Sequence, residues 1–401
     1  LVSSLGDGHH LNINVCPFSV KLSAPRPSGL AISLSLATFF ATTLLGTMPA
    51  KARISSLSNL FSFGDSLSDS GNSKSVSQSA IGFTFPPAPY YDGRFSNGPV
   101  AVEYLWQKFN PGSTAFKNSL SPDNQGTNYA IGGSSSGLQN YLELNPAVVS
   151  AGLSTAYSKK GNAWQLKDFG DQNNTFDPET SLFSVWYFPN DVFWSNNSSP
   201  NSLPGTYTGD PGPVIGPPAG FSAVVSNAID NIVGTITKLA DSYGARHFLV
   251  PNSALIGNTP EFAGTPQQNV LNQLSAGFNN SLQTNLNLLS SQRPELDIIQ
   301  FQTDDLQQEI LNNPSLFGFT DVNTRCINNM TCVTNAGGAA KEWFYWDGTH
   351  PTTTGHEIFA QRMYQDVYQP VPGPLPLIGI AAGFGWSRQL RRRIKSSLEK
   401  G

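Results

Sequence analysis

Five short apolar runs, each bounded by turn residues, alternate along the chain with longer segments whose apolar positions recur at three- and four-residue steps. The runs are Asn59–Phe63, Asn128–Ile131, Ser181–Phe188, Arg246–Val250 and Leu296–Phe301. The first four close on Gly64, Gly132-Gly133, Pro189-Asn190-Asp191 and Pro251-Asn252. Their length and near-continuous apolar character predict strands buried on both faces. The helical pattern covers Pro99–Phe109, Phe221–Tyr243, Gln268–Leu289 and Thr352–Tyr368. Strand and helix in alternation predict a five-stranded parallel sheet with helices on both faces. In such a sheet the functional site lies at the carboxyl ends of the strands. Ser73–Phe95 and Ser195–Gly220, rich in Pro, Gly and Ser, read as loops that cover the mouth of that site, or as solvated insertions.

The ends break the pattern. Gly29–Thr47 is apolar, follows Lys21 and Arg26, and precedes Ala50-Lys51-Ala52. Basic flank, apolar stretch and A-x-A pattern read as a secretory signal peptide, so residues 1–52 are expected to be upstream sequence plus leader. At the other end, Val371-Pro372-Gly373-Pro374 leads into the apolar stretch Leu375–Trp386 and then Arg388, Arg391, Arg392, Arg393 and Lys395. The apolar stretch is shorter than the roughly 20 residues a membrane span needs. The order of Pro-rich motif, apolar stretch and Arg cluster over residues 371–401 resembles the bacterial PEP-CTERM sorting tail. This implies membrane sorting through the tail and a secreted or cell-surface location. Residues 53–370 are left as one domain.

Composition sharpens this division. The chain has 401 residues, 23 Lys+Arg and 27 Asp+Glu, for a net charge of −4. Most of the basic excess sits at the ends, so residues 53–387 carry 14 basic against 25 acidic groups, or −11. An acidic body argues against a nucleic-acid partner, whose binding normally draws on a basic excess. The three cysteines, Cys16, Cys326 and Cys332, contain no CxxC pair, so no metal site is expected. Cys326 and Cys332 can close a small disulfide loop in an oxidising compartment.

The chemistry concentrates at the strand ends. Gly64-Asp65-Ser66-Leu67-Ser68-Asp69-Ser70-Gly71-Asn72 follows the first run. A Ser there, read as the start of a helix, is placed for nucleophilic attack with its N–H free. It needs a base to take its proton. Of the five His, His9 and His10 precede the leader, His247 lies inside a strand and His356 inside a helix as a surface or packing residue. His350 remains, in a loop, with Asp347 three residues before it to orient the ring. Asn190 offers a side-chain amide and Gly133 and Ser66 offer backbone N–H groups for an oxyanion. Singly, these are also what helix caps, turns and surface pairs look like.

Together the blocks resemble the GDSL, or SGNH, family of serine esterases and lipases. They are Gly64–Asn72, Asn128-Tyr129-Ala130-Ile131-Gly132-Gly133, Asn190-Asp191 and Asp347-Gly348-Thr349-His350-Pro351, with Asp92-Gly93-Arg94-Phe95-Ser96-Asn97-Gly98 between them. The resemblance covers about residues 58–369. It implies a flavodoxin-like three-layer α/β/α sandwich and ester hydrolysis without cofactor or metal. It further implies Ser66 as nucleophile, His350 as base, Asp347 as orienting acid, and an oxyanion hole of Ser66, Gly133 and Asn190. The family's Gly-x-Asn-Asp block reads Phe188-Pro189-Asn190-Asp191 here. That Phe is expected to narrow the cleft and shift Asn190. Two other readings stand beside a secreted esterase of lipid, acyl or acetylated-sugar esters. One is a catalytically impaired surface binding protein on the same scaffold, and the other is an acyltransferase or carbohydrate deacetylase. The aromatics Phe83, Phe85, Tyr90, Tyr91, Trp186, Tyr187, Phe193 and Trp194 are candidates for lining the site, or for plain core and lid.

Overall fold

The structure, a computed structural model, describes residues 54–121, 126–215, 221–334 and 339–368. The expected leader and sorting tail lie outside these residues. Four strands form one parallel sheet in the order β1-β2-β3-β4: β1 Asn59–Gly64, β2 Ser181–Trp186, β3 His247–Pro251 and β4 Asp297–Phe301. Between β1 and β2 lie α1 Asn72–Ile81, α2 Ala101–Phe109, α3 Pro146–Ser150, α4 Ser154–Tyr157 and α5 Asn162–Asp171. α6 Pro189–Asn197 and α7 Phe221–Tyr243 join β2 to β3, and α8 Gln268–Gln292 joins β3 to β4. α9 Thr303–Asn312, α10 Met330–Thr334 and α11 Thr353–Val367 follow.

Side chains of a strand alternate between its faces, and the core divides accordingly. Phe61, Phe63, Phe183, Val185, Phe248, Val250 and Ile298 pack on one side against Leu166 and Phe169 of α5, Ile232 and Ile236 of α7, and Phe278 and Leu282 of α8. Leu60, Leu182, Trp186, Leu249, Ile299 and Phe301 face the other way, onto Leu105 of α2, Ile310 of α9 and Phe359 and Met363 of α11. The result is a sheet between two helical layers.

Two expectations need correction. The sheet has four strands among the described residues, not five. Asn128–Ile131 does run parallel beside β1, with Tyr129 N–H on Ser62 O at 2.7 Å and Ile131 N–H on Gly64 O at 3.2 Å. The next rung would need the Gly64 N–H, and the Gln165 side chain takes it at 3.0 Å. The pairing therefore stays a single bridge, Ser62 to Asn128. Second, Ser73–Ile81 is helix rather than loop. Its serines are matched to the protein interior: Ser73 and Ser77 are buried, and Ser77 Oγ accepts the Phe85 N–H at 2.8 Å.

Candidate active site

The carboxyl ends of β1 and β2 deliver the first parts. After Gly64 the chain makes a tight turn in which Asp65 O accepts the Ser68 and Asp69 N–H groups, both at 3.0 Å. Ser66 therefore sits in a turn of its own and not, as expected, at the start of a helix; α1 begins only at Asn72. The buried Asp69 carboxylate ties this turn to the second block, accepting N–H groups from Gly71, Asn72, Ser73 and Gly132 at 2.7–3.0 Å. Gly133 follows in a left-handed conformation, φ +78°, where a Cβ would meet Asn140 Oδ1 at 2.5 Å and Leu142 Cγ at 2.6 Å. Only glycine fits. Among the described residues, neither the Ser66 N–H nor the Gly133 N–H has an acceptor.

Asn190 is the second residue of α6. Its Nδ2 donates to Asp65 Oδ2 at 3.0 Å, and since an amide nitrogen carries two N–H groups the other stays available. Its neighbour Asp191 is fully buried and holds the Ser136 N–H at 3.0 Å and Oγ at 2.5 Å. Burial pushes the Asp65 and Asp191 acids up, to about 6 and about 7, against the hydrogen bonds that pull them down.

Phe188 does not narrow the cleft. Its ring turns into the core and stacks on Phe278 of α8, centroids 3.8 Å apart and planes within 9°, while Asn190 lines the cleft and Phe188 does not. The backbone carries the cost: Phe188 has φ +139°, a region in which a side chain strains the chain by about 1–3 kcal/mol. That conformation lets β2 pass into α6 with only Tyr187 and Phe188 between them. Phe188→Ala keeps the strain and empties the ring's site, so it is expected to cost about 3–5 kcal/mol of stability. Phe188→Gly relieves the strain and is expected to cost about 1 kcal/mol less than Ala. Urea unfolding of the two variants decides, and a glycine variant weaker than the alanine variant would sink this account.

The last loop supplies the remaining parts. His350 Nε2 lies 2.7 Å from Ser66 Oγ. On the other side of the ring, Nδ1 meets Asp347 Oδ1 and Oδ2 at 2.9 and 2.8 Å. Burial alone would lower the His350 pKa, but the Asp347 and Asp65 carboxylates outweigh it and hold the group above its usual value. Burial works against the Asp347 charge too, and there the imidazole and two backbone N–H groups prevail and keep the acid below its ordinary range. The loop is braced from outside. The Cys326–Cys332 disulfide, Cα atoms 5.5 Å apart, closes a turn whose Cys326 and Ile327 N–H groups bond to Tyr345 O and Trp346 O at 3.1 and 2.8 Å.

Ser66, Gly133, Asn190, Asp347 and His350 all line one cleft of about 800 Å³. Of the aromatic candidates, Phe85, Tyr90, Trp186 and Phe193 face it. Tyr187 and Trp194 are buried, whereas Phe83 and Tyr91 are largely exposed, and none of these four lines the cleft. The segment before α2 thus forms part of the cleft wall, whereas Ser195–Gly220 reaches the cleft only through Asn196 and Asn197 among the described residues. His356 is a packing residue, fully buried, with burial driving its pKa down to about 3. His247 pairs with Asp297 at 3.2 Å near the opposite ends of the strands. No group of three or more His, Cys, Asp or Glu side chains is arranged for a metal ion among the described residues. Two participants were not singled out from the sequence. Asp65 meets Asn190 across 125 residues, and Tyr90, read only as an aromatic wall, puts its hydroxyl on Asp347 Oδ2 at 2.8 Å.

The chain is similar to several known proteins. A GDSL esterase/lipase of Arabidopsis thaliana is 26% identical over 326 residues, covering 76% of this chain and 86% of that protein. A phosphatidylcholine-sterol acyltransferase of Aeromonas hydrophila is 26% identical over 273 residues, covering 67% of this chain and 65% of that protein. Among solved structures, a catalytic mutant of an acetylxylan esterase from Geobacillus stearothermophilus aligns over 80% of this chain and all of its own, at 12% identity and a TM-score of 0.39. The family model described as GDSL-like Lipase/Acylhydrolase matches residues 60–363. That match spans most of the chain, which belongs to the GDSL-like lipase/acylhydrolase family of carboxylic ester hydrolases.

Proposed function

We propose that the protein hydrolyses its ester through a covalent acyl-enzyme on Ser66. The 2.7 Å approach of His350 Nε2 to Ser66 Oγ carries this reading. With Nδ1–H donated to Asp347, Nε2 holds a lone pair and takes the hydroxyl proton as Oγ attacks the ester carbonyl. The carbonyl oxygen becomes an anion, and the unengaged N–H groups of Ser66, Gly133 and Asn190 Nδ2 are the donors for it. His350 returns the proton to the departing alkoxide. It then takes one from water, which attacks the acyl-Ser66 ester, and passes that proton to Ser66 Oγ as the acyl–Oγ bond breaks and the acid leaves. The walls of the cleft, among them Phe85, Phe95, Leu142, Phe193 and Phe262, support an ester with an apolar acyl or alcohol portion. The same acyl-enzyme can pass its acyl group to an alcohol in place of water, and the similarity to an acyltransferase supports transfer as the second reading.

A fluorophosphonate probe tests the nucleophile. Its phosphorus is attacked by Oγ, fluoride leaves, and mass spectrometry of the digest should find the adduct on Ser66. Labelling requires neutral His350. Because that group is held above 6.5, the labelling rate should fall as pH drops below about 7 and be largely lost by about pH 5. A rate flat across that interval would exclude a His base.

The reading includes export: residues 1–52 as upstream sequence and leader, and 371–401 as a sorting tail. The disulfide supports an oxidising compartment. Amino-terminal sequencing of the exported protein should give a start close to Ala52.

A further inference from the structure

The Asp347 carboxylate has four donors around it. Three come from its own loop: the Thr349 N–H at 2.9 Å, the His350 N–H at 2.8 Å and His350 Nδ1 at 2.8–2.9 Å. The fourth, the Tyr90 hydroxyl at 2.8 Å, arrives from 257 residues away. Tyr90 lies in the segment between α1 and α2 that also gives Phe85, Pro86 and Pro87 to the cleft wall. Its ring is held edge-on by Trp346 and Phe95, centroids 6.0 and 6.4 Å away, and Phe95 in turn lies 5.3 Å from the His350 ring. The direction of the bond is settled by chemistry. Burial and the Asp347 charge keep the phenol protonated, far above its usual range, and an ionised carboxylate can only accept.

We propose that Tyr90 is a positioning residue for ester hydrolysis: its hydroxyl fixes the Asp347 carboxylate in the orientation that aims His350 at Ser66, and weakens the carboxylate's field at the imidazole. This rests on the reading of Asp347 and His350 as orienting acid and base. The geometry favours it over a simple loop anchor because the bond ends on the carboxylate itself, on the oxygen that makes the shorter contact to Nδ1. It also joins this wall of the cleft by one hydrogen bond to the acid that orients the base, so displacing that segment removes a donor from Asp347.

The expected sign follows from the dipole. The hydroxyl hydrogen presents positive charge to Asp347 and so opposes the imidazolium beyond it. Without it the imidazolium is favoured, and the acid limb of the rate profile moves to higher pH. The other charges around the pair stay in place in Tyr90→Phe. They are Asp65, which favours the His350 charge, and the Arg325–Glu261 ion pair at 2.7 Å, with neutral His356 behind.

The full chain and its Tyr90→Phe, Tyr91→Phe and Ser66→Ala forms are assayed on a short-chain p-nitrophenyl ester across the pH range, with kcat and KM separated. Tyr90→Phe keeps the ring packing. It should lower kcat about 5- to 20-fold with KM within about twofold of wild type. It should also raise the apparent pKa of the acid limb by about half a unit. Tyr91→Phe changes the exposed neighbour, whose ring faces Arg94, and should behave as wild type. An unchanged kcat and acid limb in Tyr90→Phe, or a loss confined to KM, overturns the proposal. Wild-type turnover by Ser66→Ala would instead overturn the acyl-enzyme reading beneath it, and the two failures are read from different variants.

Discussion

Ser66→Ala should lower kcat on a short-chain ester by about 10⁴- to 10⁶-fold, the largest effect of any single replacement in the chain. The variant removes only an oxygen whose recorded partner is His350 Nε2, at a position that is 8% exposed. The turn around it is held by Asp65 and Asp69, not by the hydroxyl. Thermal unfolding should therefore change little, which separates loss of chemistry from loss of fold. The N–H donors of residues 66, 133 and 190 remain, so a small residual rate should persist and labelling by the fluorophosphonate should vanish. Retention of more than about a hundredth of wild-type kcat would remove Ser66 from the mechanism.

The order of elements was legible because each strand is a compact apolar run with a turn at its end. All four strands and the helices α2, α7, α8 and α11 fall within three residues of where periodicity sets them. What failed did so for side-chain reasons. Asn128–Ile131 reads as a strand, but a glutamine brought from α5 takes the backbone N–H that would continue its ladder. Ser73–Ile81 reads as loop because serine is a poor helix signal, yet here the serines are buried and bonded. Phe188 reads as an obstruction, because a motif position says nothing about which way a strained backbone turns its side chain. The five motif residues were legible because Ser66, Gly133 and Asn190 each follow closely on an apolar run, and Asp347 and His350 share one Gly- and Pro-containing loop before a helix. Asp65 under Asn190 and Tyr90 on Asp347 were not, since both contacts join segments far apart in the chain.

Asp347→Asn is the second large effect, expected at about 10³- to 10⁴-fold in kcat with KM nearly unchanged. The replacement keeps the volume but turns one acceptor oxygen into a donor. The Thr349 and His350 N–H groups hold the remaining oxygen at the Oδ1 position, so the amide NH2 takes the Oδ2 position beside His350 Nδ1 and favours the tautomer protonated on Nε2, which has no lone pair toward Ser66. The replacement also withdraws the negative charge that holds the His350 pKa up against burial. The sign of the second effect is diagnostic. Without the carboxylate, burial prevails, so the remaining activity should show its acid limb at lower pH than wild type. Loss of the Tyr90 hydroxyl should move the same limb the other way. Rate profiles of the two variants on one ester therefore read the Asp347 field from both sides. A fall of less than about tenfold in Asp347→Asn with an unmoved limb would mean that His350 works without its carboxylate. Opposed shifts would place the tuning of the base in the contact between Tyr90 and Asp347, which joins a wall of the cleft to the final loop.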